Sequence, residues 1–314
     1  MKLLFISALL TVASSASAQL TTSDIPNFYR AFDALAEVET RADSVSVFQR
    51  EYLDPGSEGL RLFAKVRDVN AEALVSLVAR FPKYYASIRP TAMAIAENEA
   101  AIAAVLQEVA TVLPDFEVPP VTIAFGVLNT GGTVSKGHIL LGAGINCGGG
   151  TGVDVSELPD YLAPFVTGNA GLGDIATLAA HEAVHTWQRG FSLNNLVKDV
   201  INEGVCDFVV YDLMGRPAND VYHLYGAANE CEVWRKFKVD LDDGGKGARD
   251  NWLYNGHAAT PDWPGDMGYF VGRRIAAAYY AQAADKAAAL RALRRVGRYK
   301  RVLRESGYDG GCGG

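Results

Sequence analysis

Residues 180–186 of this 314-residue chain read Ala180-His181-Glu182-Ala183-Val184-His185-Thr186, and no other stretch constrains the fold as strongly. Histidines four apart stand one turn apart on one face of a helix, where two imidazoles can converge on one metal ion. Glu182 then sits beside that ion, placed to take a proton from water activated there. The bare H-E-x-x-H pattern also suits a helix carrying two surface histidines, or two histidines satisfied in a core. Its surroundings predict a helix over 174–189: Asp174 is an N-cap candidate, Ile175, Leu178, Ala179 and Val184 supply apolar positions, and Gly190 is a stop signal.

A catalytic zinc site takes three protein ligands and keeps one position open. Glu203 follows His185 by 18 positions, far enough for the chain to turn and return along an antiparallel helix. Asp207, four residues later, shares its face and can accept the distal N–H of a ligating histidine. The alternative, a solvated acidic helix face, has to explain why these acids sit among Leu196, Val197, Val200, Ile201, Val205, Phe208 and Val209. Zn²⁺ on His181, His185 and Glu203, with Asp207 behind them, is the expected centre.

Composition bounds the rest. The chain is 49% hydrophobic with a formal charge of −7, which disfavours a nucleic-acid binder because phosphate contacts need a basic field. Residues 1–18 read as a signal peptide: Lys2 precedes an apolar run over 3–13, and Ala16-Ser17-Ala18 resembles a cleavage site. The apolar run is shorter than the ~20 residues a membrane span needs. A mature chain starting at Gln19 is therefore expected to be exported, with no lipid-anchor cysteine and no transmembrane segment. Export makes Cys147, Cys206, Cys231 and Cys312 candidate disulfide partners. Three pairings are open, of which Cys206–Cys231 closes a short loop beside the site, and free thiols are the alternative.

Along the chain, helical spacing is expected over 26–38 after a Ser23/Asp24 cap signal, over 70–80 before Pro82, and over 91–113 before Pro114. Residues 121–125 and 138–141 read as strands, and Gly131-Gly132 between them suggests a hairpin. The glycine-rich stretch 142–150 lacks the spacing of a nucleotide loop and reads as a plain mobile loop. Further helices are expected over 193–214, 221–238, 266–283 and 285–304, with an exposed loop from Asp240 to Asp250. Seven basic side chains over 291–304 suit a solvated helix face, with contact to an acidic surface or membrane lipid as the alternative. The tail at 310–314 is expected to be flexible unless Cys312 is bonded.

The H-E-x-x-H followed by Asn202-Glu203-x-x-x-Asp207 resembles the gluzincin metallopeptidases, the thermolysin-like clan. More closely, the chain resembles predicted zinc-dependent proteases of bacteria related to the gliding-motility lipoprotein family. That closer resemblance rests on Phe81-Pro82-Lys83-Tyr84-Tyr85 with Ile88-Arg89, on the segment from Gly126 to Gly144, and on Gly268-Tyr269-Phe270-Val271-Gly272-Arg273-Arg274-Ile275. It spans roughly residues 80–280 and is carried chiefly by the zinc motif. The missing lipid-anchor cysteine means that a surface-lipoprotein role is not carried over. The resemblance implies peptide hydrolysis, with Glu182 as general base and a further donor for the oxyanion. Tyr269 is the candidate donor, with His223 and His257 behind it, although a tyrosine at a helix start also fits a buried aromatic. The strand at 138–142 is the candidate sheet edge for aligning an extended peptide, and His138 reads as an ordinary strand residue.

The expected fold class is therefore α+β and mainly helical, a zincin-like core with a small sheet. Residues 19–118 form a helical N-terminal region and 119–314 the catalytic region, together one compact unit. The expected activity is that of an exported zinc metallopeptidase acting on a peptide or protein substrate. The alternatives are a non-catalytic zinc-containing envelope or binding protein, and a zinc hydrolase of a non-peptide substrate.

Overall fold

Val121–Ala124 runs parallel to His138–Gly142 rather than turning back on it, which replaces the expected hairpin over 121–141 with a crossover. The computed structural model describes residues 20–168, 172–190, 195–242, 247–260 and 262–313, so the signal segment expected at 1–18 lies outside the described residues. Its sheet has four strands in the order β1-β2-β4-β3: β1 Leu20–Thr21, β2 Val121–Ala124, β3 Gly132–Ser135 and β4 His138–Gly142. The true hairpin is β3–β4, pairing Gly132 with Leu141 and Ser135 with His138. Lys136 (φ 51°) and Gly137 (φ 75°) close it, the left-handed pair that a two-residue hairpin turn requires. Gly131-Gly132 leads into β3 instead. Burial explains the arrangement: β2 is buried throughout, as parallel strands covered on both faces are, whereas β3 is half-buried along its length and forms the edge. β4, expected at the edge, is internal.

The remainder is mainly helical. The helix carrying H-E-x-x-H, Leu172–Trp187, packs on β3, on β4 and on helix Glu99–Val112. Asp174 lies in its first turn rather than at its cap. Helix Leu196–Asp207 returns beside it, capped by Asn195 accepting from the Lys198 amide at 3.0 Å, and runs into a π-helical turn at Phe208–Leu213. Against its back lies helix Met267–Gln282. A Cβ on Gly272 would fall 1.9 Å from the Val200 carbonyl oxygen, and one on Gly204 would fall 2.0 Å from the Gly272 carbonyl carbon. Two glycines thus let these backbones touch beside Glu203.

Several sequence expectations change in detail. The 26–38 helix begins at Asp24, whose carboxylate accepts from the Ser57 amide at 3.0 Å, while Ser23 makes no side-chain cap. The 91–113 helix breaks at Asn98, whose amide donates back to the Ala94 carbonyl at 2.7 Å. Residues 41–48 and 58–67 are helices as well. The glycine stretch is a packed segment: residues 143–146 form a short buried helix, and Asn146 donates to the Gly131 and Gly142 carbonyls at 2.7 and 3.0 Å. The chain is helical to Asp242, and within the expected exposed loop Arg249 is half-buried and paired with Asp199 at 2.9 Å. Within the basic stretch, Arg294 donates to the Trp187 carbonyl at 2.8 Å and so closes the C-terminus of the H-E-x-x-H helix.

The disulfide joins Cys231 to Cys312 across 81 residues, tying down the tail. Cys206–Cys231 is not formed, because Cys206 faces inward from its helix; Cys206 and Cys147 are buried free thiols. Among the described residues no helix is long and apolar enough to cross a membrane. The N-terminal region shares one core with the rest. Phe28 stacks on Phe125 with centroids 3.9 Å apart, and Trp187 donates to the Pro114 carbonyl at 2.8 Å.

Candidate metal centre

The helical rise between His181 and His185 brings their rings to 5.0 Å between centroids. Both Nε2 atoms face one oxygen of the neighbouring helix: Glu203 Oε2 lies 3.3 Å from His181 and 3.1 Å from His185. Each ring is turned by a partner on its other nitrogen. His181 Nδ1 lies 2.8 Å from Asp207 Oδ1, and His185 Nδ1 lies 2.8 Å from Gln188 Oε1. Gln188 is itself held by donating to the Asn202 carbonyl at 2.7 Å. With Nδ1–H donated in this way, Nε2 is the nitrogen left to face Glu203.

Glu203 is braced from a third side. The Tyr254 hydroxyl donates to its Oε1 at 2.7 Å. Tyr254 stands in the left-handed region (φ 59°) with the Arg249 guanidinium 4.8 Å from its ring centroid. The buried Asp199 carboxylate holds that guanidinium at 2.9 Å. Sequence reasoning missed Tyr254, Arg249 and Gln188. Only Gln188, one turn after His185, carried a local signal.

Ligand-capable atoms of His181, His185 and Cys206 also lie within 4.8 Å of one another, a triad able to hold a metal ion. Cys206 Sγ, however, lies 3.4 Å from His185 Nδ1, on the ring edge turned away from Glu203. Burial, with the charges of Glu203 and Asp207, pushes its thiol well above the ordinary range. Cys206 therefore sits behind His185, whereas the two Nε2 atoms open towards Glu203.

Four charged partners balance one another here. Burial disfavours imidazolium at His181, yet Asp207 and Glu203 outweigh it and hold the His181 pKa well above the usual value. His185 is raised in the same way, by Glu203 against burial. Burial also works against ionised Glu203 and Asp207; the histidines overcome it, keeping Glu203 well below and Asp207 below the usual carboxylate range. Glu182 behaves oppositely. Burial raises it, and His185 and His181 only partly pull it back. A Cβ on Gly132 would fall 2.7 Å from Glu182 Oε1, so the start of edge strand β3 lies directly against this carboxylate.

The remaining candidates are spread around this centre. Tyr269 stands beside it, its ring centroid 6.1 Å from that of His181, in a wall with Tyr222 and Tyr254. Burial, then the charge of Glu203, hold its phenol well above the ordinary range and so protonated. His223 is buried behind the centre, with Nε2 2.9 Å from Asp207 Oδ2, which makes it a support rather than a donor to substrate. His257 is exposed on a turn, where its charge acts on Asp266. His138 pairs with Thr122 at 2.9 Å within the sheet. No protein-family model, curated protein or solved structure matches the chain.

Proposed function

We propose that this chain is an exported zinc metallopeptidase of zincin-like build, with His181, His185 and Glu203 as ligands and Glu182 as general base. One observation carries the reading: two imidazole Nε2 atoms converge on a single carboxylate oxygen at 3.3 and 3.1 Å. Ligands at the usual zinc bond lengths stand at tetrahedral edges of about 3.3 Å, and both nitrogen-to-oxygen edges of this donor set, at 3.3 and 3.1 Å, match that spacing. Two neutral nitrogens and one carboxylate oxygen are also the donor set of hydrolytic zinc sites. Bound there, Zn²⁺ would supply a Lewis acid that polarises a carbonyl and lowers the pKa of water.

The side chains supply the rest. Glu182, raised by burial, has the proton affinity needed to accept a proton from water and return it to a leaving amine. Tyr269, protonated, is the donor proposed for negative charge developing on the carbonyl oxygen. Strand β3 ends the sheet, and an extended peptide added to its outer edge would pass Glu182 at Gly132. This is why a peptide is the favoured substrate class.

Metal analysis of the purified protein, with Glu182→Gln compared against wild type on a broad peptide library, tests the proposal. One equivalent of zinc in both forms is expected, with cleavage reduced about 10²–10⁴-fold in the variant. Zinc without turnover in either form would favour a non-catalytic zinc protein. Absence of zinc would overturn both readings.

A further inference from the structure

Arg67 ends the helix Glu58–Arg67, which packs on β2, β3 and β4. It is half-buried, and its Nε is sealed from solvent with no hydrogen-bond partner. Among the described residues its guanidinium makes no ion pair and no ring contact. Each of the other half-buried arginines faces a carboxylate or carbonyl: Arg249 forms an ion pair with Asp199 at 2.9 Å, Arg273 with Asp212 at 2.7 Å and Arg216 with Glu108 at 2.6 Å, and Arg294 donates to the Trp187 carbonyl at 2.8 Å. A half-buried guanidinium whose Nε is sealed without a partner has lost part of its hydration uncompensated, and a carboxylate would supply the missing acceptor.

Its position is informative. Asn129 donates to the Arg67 carbonyl at 3.3 Å, and three residues later Gly132 lies against Glu182. Arg67 thus stands where the chain enters edge strand β3, beside the proposed general base. Its charge reaches Glu182 and opposes the rise that burial causes there.

We propose that Arg67 is an anion-binding residue beside Glu182, receiving a carboxylate of a peptide laid along β3. This rests on the peptidase reading. A guanidinium presents paired N–H donors that match the two oxygens of a carboxylate, which makes it a fork for that group rather than a diffuse charge. The carboxylate is either the α-carboxylate at the end of a peptide or an Asp or Glu side chain within one. Either way the enzyme selects negatively charged peptides despite its own acidic balance.

Paired peptides test this: a free acid against its C-terminal amide, and an internal Asp against Asn. Binding is measured by calorimetry to zinc-loaded Glu182→Gln, in which turnover is suppressed, and cleavage by the wild-type protein. One charged member should bind at least about tenfold more tightly than its neutral counterpart, and which pair shows the preference identifies the carboxylate. Adding Arg67→Gln should abolish the preference and, in the otherwise wild-type protein, raise KM for the charged member towards that of its neutral counterpart. Arg67→Lys should restore part of it. Equal binding of charged and neutral members, no binding of either, or a preference that survives Arg67→Gln would overturn the assignment. The first comparison needs no change at Arg67, so misfolding of that variant cannot protect the idea. Failure of the peptidase reading is separately visible as absence of cleavage of every peptide by the wild-type protein.

Discussion

His181 and Asp207 are joined at 2.8 Å between Nδ1 and Oδ1, and the second carboxylate oxygen is held by His223 at 2.9 Å. Asp207 therefore both orients the His181 ring and raises its basicity towards a metal. Asp207→Asn keeps the shape and removes the charge. Zinc affinity should fall about 10–100-fold, measured by competition with a chelator, whereas an unchanged affinity would remove Asp207 from the centre.

Tyr254 donates to the Glu203 oxygen that faces away from the histidines. With Tyr254→Phe, that oxygen is free to swing towards the metal. In the cobalt-substituted protein the visible absorption should weaken, as four ligands become five, and zinc should be held about tenfold less tightly. A spectrum identical to wild type would show that Tyr254 does not set the coordination of Glu203.

The pH dependence has a definite sign. In the metal-free protein the His181 and His185 pKa values are raised, so their contribution to stability is full below the unfolded value and is lost as pH rises through the native one. Glu203 and Asp207 are depressed, so theirs is present above the unfolded carboxylate value and is lost on acidification through the native one. The metal-free form should be most stable between those ranges. Zinc bound at the proposed centre would displace the histidine protons, so it should dissociate as pH falls below about 6. The Tm difference between zinc-loaded and metal-free protein should accordingly widen from about pH 5 to about pH 9. A constant difference would contradict the assigned ligands.

Gly272→Ala would place a methyl group 1.9 Å from the Val200 carbonyl oxygen. The helices must separate, at a cost of about 3 kcal/mol in denaturant unfolding. Because Gly204 at the same crossing adjoins Glu203, zinc affinity should fall as well. A variant with wild-type unfolding midpoint and wild-type zinc affinity would show that the crossing is not tight.

Much of the centre was legible because its parts are local. A spacing of four puts His181 with His185, and Glu203 with Asp207, on shared helix faces whatever the rest of the fold does. The strands were placed almost correctly but paired wrongly. The period of a strand says which face is buried and nothing about which strand lies beside it, so the parallel β2–β4 pairing was not visible. The Lys136-Gly137 turn has a lysine at a left-handed position, a weaker sequence signal than Gly131-Gly132. The cysteines failed for a related reason. Loop length favoured Cys206–Cys231, while burial of Cys206 behind His185 and exposure of the tail select Cys231–Cys312.

By itself, then, the sequence determined a mainly helical chain and two helices bearing a histidine pair and an acid pair, because helical periodicity is written in near neighbours. Only the tertiary structure decided that Glu203 faces both imidazoles, that Tyr254 braces it from 51 residues away, and that Arg67 stands near Glu182 with no ion-pair partner among the described residues. Those relationships join residues with no shared period. They exist only after packing has fixed which surfaces meet and which polar groups are left without partners.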